Sequence, residues 1–200
     1  MELVVSEIKR KGFHLLTLVY ISLYWYNQRA GKLFLAGLLL LAFIGEMLRL
    51  RNQKFNLWIL RLLNGVHRPE ESRRLSGLLW TLSGSLLTML IYPHPRIVLV
   101  GLLFISLGDS AAALVGIHFG RIKIYDEKTL AGSLSCFLVC WIIALSLLPP
   151  TDGRYFLVAT LSALFATIVE IIPWPLNDNF WLPILSTGSI YLLYKIFGVL

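Results

Sequence analysis

The sequence predicts an all-α fold: a polytopic membrane helix bundle of about seven transmembrane helices, with the N-terminus inside and the C-terminus outside. Three observations predict it. Hydrophobic residues fill 57% of the 200 positions and charged residues 14%, against about 45–50% and roughly a quarter in ordinary soluble domains. Apolar runs of spanning length recur along the chain, each bounded by charge, Pro or Gly. The basic residues fall unevenly between the two sides that these runs define. A spanning helix takes about 20 apolar residues, so the chain is filled by its spans and leaves no room for a separate soluble catalytic or nucleic-acid-binding domain. Residues 1–200 are read as a single integral membrane domain.

The runs fall at 12–26, 31–48, 75–92, 96–118, 131–148, 155–172 and 180–198. The first is short and the last contains Pro183, so six spans is the alternative count. Between the second and third, the stretch 54–66 (KFNLWILRLLNGV) keeps apolar residues at helical spacing but carries Lys54, Asn56 and Arg61. It is expected to be an amphipathic helix lying in the interface. Glu2 and Glu7, with no small-residue cleavage signature after the first apolar stretch, predict a retained first span rather than a removable signal.

The net charge of +7 is a topology signal in such a chain. Thirteen of the 18 Lys and Arg residues lie in the N-terminal segment (Lys9, Arg10, Lys11) and in the connections 49–74 and 119–130. The opposite side holds Arg29, Lys32, Arg96, Arg154 and Lys195. The richer side is expected to be cytoplasmic. Compact length and the absence of a transit peptide predict a prokaryotic plasma membrane. Cys136 and Cys140, four apart in an apolar run, are expected to pack as free thiols.

Ionisable groups inside spans are costly and point to function. Asp109 sits in the fourth run, within LFISLGDSAAALVGIHFGR, where Gly108, Ala112, Gly116 and Gly120 recur every fourth position. An acid on a small-residue face leaves space for a ligand; the alternative is a helix-packing face with Asp109 paired to a cation. Glu7, Arg10, Lys11 and His14 share an arc of about 100° on a helix, a grouping suited to phosphate. Glu46 and Arg49 are spaced to pair. Glu170 ends the sixth run, Asp178-Asn179 follows in IIPWPLNDNFWLP, and Lys128, Gly132 and Ser133 open the fifth, whose amide-rich start favours an anion. Carboxylates able to hold Mg²⁺ beside phosphate-binding cations predict a phosphoryl-transfer site on the cytoplasmic side.

Four ordered segments, EIKRKGFH at 7–14, HRPEESRRLSG at 67–77, GDSAAALVGIHFGR with KTLAGS at 108–133, and VEIIPWPLNDNFWLP at 169–183, resemble the polyprenol kinase family. That family takes in dolichol kinases, phytol and farnesol kinases, and CTP-dependent diacylglycerol kinases. The resemblance implies transfer of the γ-phosphate of CTP, or of ATP, to the hydroxyl of a membrane lipid alcohol. By the same resemblance Arg10, Lys11, Asp109 and Gly116 match essential motif positions, and Glu170, Asp178 and Asn179 match the late acidic motif. The expected roles follow. Asp109, Lys11, Asp178 and His14 are catalytic, with Asp178 or His14 as any base. Arg10, Lys11, Gly116, Arg121, Lys128 and Ser133 bind phosphate. Asp109, Glu170 and Asp178 hold Mg²⁺, supported by Glu7, Glu46, Arg49 and Asn179. A phosphatidate cytidylyltransferase-like reaction and, more distantly, lipid transport are the alternatives. The partners expected are the lipid alcohol, the nucleoside triphosphate and membrane lipids, with no nucleic acid.

Overall fold

The computed structural model describes residues 2–62, 74–149 and 153–197. Arg68 and Arg73 of the basic connection, most of the segment 67–77 and the last four residues of the expected interfacial helix lie outside the described residues. The fold is that of an all-helical membrane protein, and every apolar run of the sequence falls on helix.

The first run straddles two helices, α1 (Glu2–Leu15) and α2 (Thr17–Tyr26), which break at Leu16. Asn27 then caps α3 (Gln28–Arg51), its side-chain oxygen accepting from the Ala30 amide at 3.0 Å. This is the Asn expected where a helix starts with unpaired amides. Next, α4 (Gln53–Leu62) buries no residue and stacks Phe55 on Trp58, leaving Leu57, Trp58 and Leu62 exposed beside Lys54 and Arg61. It has the character expected of a helix lying in a lipid interface.

The third run becomes α5 (Gly77–Ile91). The fourth becomes one rod: α6 (Pro95–Leu103), a π-helical turn (Phe104–Asp109) and α7 (Ser110–Phe119). Pro95 opens the rod where a missing amide costs nothing. A short antiparallel hairpin, β1 (Lys123–Tyr125) and β2 (Lys128–Thr129), turns through Asp126 at a positive φ of 47°. Three helices complete the chain: α8 (Leu130–Leu147), α9 (Tyr155–Ile171) and α10 (Asp178–Ile196).

Three of these elements are long and apolar enough to cross a membrane: α3, the 95–119 rod and α8. The rod is the central one, with 72% of its apolar window buried against 17% for α3. It packs on α8 and α10 through Val100, Phe104, Ala112, Cys136, Cys140 and Ile190, and on α2 through Val98, Leu99 and Leu102 against Tyr20, Ile21 and Tyr24. Exposed leucines and phenylalanines cover α3, α8 and α9, as lipid contact requires. Cys136 and Cys140 are buried free thiols behind Gly108.

Candidate active site

Asp109 closes the π turn. A π turn inserts one extra residue into a helix and is frequent at functional sites. Here it lies opposite the polar edge of α1 and α2. Lys11 Nζ donates to Asp109 Oδ2, and both residues are only 5% exposed. His14 Nε2 stands 3.9 Å from the same oxygen and 3.2 Å from the Ile105 carbonyl, to which its N–H donates in the Nε2-protonated tautomer. One turn on, Thr17 Oγ1 donates to Ser106 Oγ at 2.8 Å; Tyr20 and Ser85 share a further hydroxyl contact of 2.8 Å. Positions 11, 14, 17 and 20 thus fix α1 and α2 against the rod and α5. Arg10 points elsewhere, half-buried, and pairs with Glu7 at 2.6 Å.

A second cation sits at the end of the hairpin. Lys128 Nζ donates to Glu170 Oε1 and lies 3.7 Å from Asp178 Oδ2. Burial pulls the Lys128 ammonium down, but the carboxylates of Asp109, Glu170 and Asp178 outweigh it and hold its pKa above the ordinary lysine value. The field of Asp109 therefore reaches the second cluster and joins the two. Glu170 is 3% exposed; its other oxygen, Oε2, is buried with no hydrogen-bond partner among the described residues. Asp178 is delivered by a strained loop: Leu176 adopts φ 76°, and Asn177 caps α10 by accepting from the Asn179 amide at 3.0 Å.

The small-residue face of the rod meets the first turn of α8. A Cβ on Gly132 would stand 2.6 Å from the Ala112 carbonyl, and one on Gly116 would stand 3.0 Å from Thr129 Oγ1. The space that the sequence leaves beside Asp109 is taken on this side by backbone. Thr129 also caps α8, accepting from the Gly132 amide at 3.2 Å. One amide at the start of α8 is thereby already bonded and not open to an anion. Ser133 Oγ, one residue further, is buried and without a hydrogen-bond partner among the described residues.

Glu46 and Arg49 form a node of their own. Arg49 is 2% exposed; it binds both Glu46 oxygens, at 2.7 and 3.3 Å, the Asn56 side chain at 3.0 Å and the Arg74 carbonyl at 2.7 Å. The Ser76 amide donates to Glu46 at 3.1 Å. One buried arginine thus ties the end of α3 to α4 and to the start of α5.

The structure therefore gathers Lys11, His14, Asp109, Lys128, Glu170 and Asp178, with Gly116, Ser133 and Asn179 on the elements that frame them. Arg121 is exposed ahead of the hairpin, and Glu46–Arg49 is occupied in fastening helices. Thr17, Tyr20, Thr129 and Asn177 were not anticipated. The signal for the first two was present: they continue the three-residue spacing of Lys11 and His14. Among the described residues no three His, Cys, Asp or Glu groups stand close enough to share one ion. Asp109, Glu170 and Asp178 are therefore not a three-carboxylate seat in this geometry. The oxygens present still suit Mg²⁺, which takes one or two protein carboxylates and completes its shell with water and phosphate.

An all-helical membrane protein with two joined lysine–carboxylate clusters, one of them bound to a π turn in its central helix, is the class that fold and site define. Comparison with known proteins narrows it. The chain is 28% identical to CTP-dependent diacylglycerol kinase 1 of Saccharomyces cerevisiae over 96% of its own length and 74% of that protein's. It is 26% identical to CTP-dependent diacylglycerol kinase 1 of Schizosaccharomyces pombe, with 76% of each chain covered. An uncharacterized protein of Methanocaldococcus jannaschii is 33% identical over 61% of this chain and 60% of its own. No family model matches, and no solved structure matches. The chain is thus similar, over most of its length, to two proteins named as CTP-dependent diacylglycerol kinases.

Proposed function

We propose that this protein is a CTP-dependent kinase that phosphorylates the hydroxyl of a membrane lipid alcohol at the cytoplasmic face, with diacylglycerol the first substrate to test and isoprenoid alcohols the second. The observation that carries the reading is the junction of two lysines, buried Lys11 and half-buried Lys128, with three carboxylates, Asp109, Glu170 and Asp178, around the central rod. The names of the two yeast relatives supply the donor and the acceptor class.

Phosphoryl transfer is catalysed by positioning and by charge stabilisation more than by covalent chemistry. In the structure each lysine is neutralised by a carboxylate. A triphosphate entering the site offers each ammonium a stronger partner, and the released carboxylate oxygens become available to a cation. Asp109 and Asp178 would hold Mg²⁺, which would supply charge neutralisation for the transferring phosphoryl group. Lys11 and Lys128 bind phosphate oxygens, and Arg10, released from Glu7, serves the same anion from the first helix. His14, whose Nε2 proton is given to the Ile105 carbonyl, orients the α1 edge beside Asp109 and leaves only Nδ1 as an acceptor.

The test uses purified protein in mixed micelles with Mg²⁺ and γ-labelled CTP or ATP. Diacylglycerol, phytol, geranylgeraniol and a long polyprenol are offered in parallel, with Asp109→Ala as control. Label in one lipid, lost in the variant, is the expected result and names donor and acceptor together. Pyrophosphate release from CTP with no labelled lipid would replace the kinase by a cytidylyltransferase. Well-folded protein silent in both assays would overturn nucleotide chemistry altogether.

A further inference from the structure

Two buried polar atoms at the site lack a hydrogen-bond partner among the described residues: Glu170 Oε2 at the end of α9 and Ser133 Oγ in the second turn of α8. Their residues are 3% and 6% exposed, and α8 and α9 pack directly on each other. A buried polar atom left bare carries its full desolvation cost, so a pair of them on neighbouring helices marks a place built for a ligand.

The chemistry of the ligand follows from what each atom needs. Glu170 Oε1 is already taken by Lys128, so Oε2 is the free side of a carboxylate whose charge is partly balanced. An ionised carboxylate only accepts hydrogen bonds. A phosphate oxygen, also an acceptor and anionic, has nothing to give it. A hydroxyl gives one proton to the carboxylate and keeps two lone pairs, one of which can accept from Ser133 Oγ–H. Beside the charged groups at Glu170 lies apolar surface: its chain neighbour Val169 packs with Ile105 and Leu182 in one buried cluster, and Ile168 and Ile172 of the same helix are exposed. That surrounding suits a hydroxyl attached to a hydrocarbon.

We propose that Glu170 Oε2 and Ser133 Oγ receive the hydroxyl of the acceptor alcohol, and that Glu170 is the base that takes its proton. The assignment rests on the kinase reading above. In the step, the alcohol oxygen forms a bond to the γ-phosphorus of CTP and the bond from that phosphorus to the β–γ bridging oxygen breaks. CDP leaves with that electron pair, and the alcohol proton passes to Glu170 Oε2. Lys128, bound to Oε1, lies beside both the carboxylate and the incoming phosphate, so acceptor and donor are brought to one ammonium. This moves Glu170 from the expected Mg²⁺ set to the acceptor side.

The experiment compares wild type, Glu170→Gln and Ser133→Ala as full-length protein in mixed micelles, each checked for an unchanged thermal midpoint. Glu170→Gln is expected to keep CTP affinity and Mg²⁺ half-saturation within about twofold while turnover falls by about 100-fold or more, the range of a lost general base. An acceptor made more acidic by fluorines beside its hydroxyl should recover much of that loss in the variant and gain little in wild type. Ser133→Ala, the milder change, should raise the KM for lipid by about 5- to 10-fold, the size of one lost hydrogen bond, and leave the KM for CTP alone. Unchanged turnover in Glu170→Gln, weakened Mg²⁺ or CTP use there, absence of rescue by the acidic acceptor, or a CTP defect in Ser133→Ala would each overturn the assignment with the kinase reading intact. Wild type that labels no lipid would remove both.

Discussion

Lys11 and Asp109 lie 98 positions apart in the chain and form one buried ion pair between α1 and the π turn of the central rod. Buried in the protein, neither charge is cheap to leave alone, so the pair locates α1 against the rod as well as equipping the site.

The two roles separate in a double-mutant cycle. Lys11→Met leaves Asp109 buried without its cation and Asp109→Leu does the converse; breaking a buried pair costs about 3–5 kcal/mol. The double variant replaces the pair by apolar side chains of similar size, an exchange that is often neutral or stabilising. Thermal midpoints in detergent are expected to fall in both single variants and recover in the double one. Activity stays lost in all three. Recovery of turnover in the double variant would show that the pair only fastens helices.

The Glu46–Arg49 node carries the opposite expectation. Arg49→Leu removes the cation that both Glu46 oxygens, Asn56 and the Arg74 carbonyl share, leaving a buried carboxylate and a freed carbonyl. The expected loss is again about 3–5 kcal/mol, seen as a lower midpoint and lower yield. The fraction that remains folded should show the wild-type KM for CTP. A raised KM in well-folded Arg49→Leu would bring this node into the nucleotide site.

Much of this was legible because the bilayer imposes its own punctuation: apolar runs between charges, Pro and Gly located α2, α3, α5, the 95–119 rod, α8, α9 and α10, and Asp109 stood out by its cost. Three features were not. The helix break at Leu16 has neither Pro nor Gly to announce it. The π turn at Phe104–Asp109 depends on what packs against it, and no local residue pattern specifies it. The partner of Asp109 was one of several basic residues predicted on the same side, and only long-range packing selects Lys11. The small-residue face shows the same limit, since Gly116 and Ala112 read equally as room for a ligand or for a helix. The structure puts the first turn of α8 there.

That last contact is open to a direct measurement. A methyl on Gly132 meets backbone, the Ala112 carbonyl at 2.6 Å and Gly116 Cα at 3.3 Å, and backbone cannot swing aside. Gly132→Ala is expected to cost about 1–3 kcal/mol and to lower activity by displacing Ser133 in α8 and Lys128 in the adjoining strand β2. Gly37→Ala, where nothing lies within 4 Å, should be neutral or stabilising by about 0.5–1 kcal/mol, the ordinary gain of Ala over Gly inside a helix. Equal midpoints for the two variants would mean that α7 and α8 do not approach as closely as the structure has them.

Lys128 supplies a pH dependence whose sign is fixed by its surroundings. Three carboxylates raise its pKa in the folded protein above the ordinary lysine value, so folding and protonation of this ammonium favour each other. Its contribution to stability is fully present below the unfolded lysine pKa of about 10.4 and is lost as pH rises through the folded value. Lys128→Gln lacks the contribution at every pH. The gap in thermal midpoint between wild type and this variant should stay constant from about pH 8 to about pH 10 and narrow above that. A gap that closes below about pH 9 would mean that Glu170, Asp178 and Asp109 do not hold the charge on Lys128, and the joined cluster on which the nucleotide site depends would have to be redrawn.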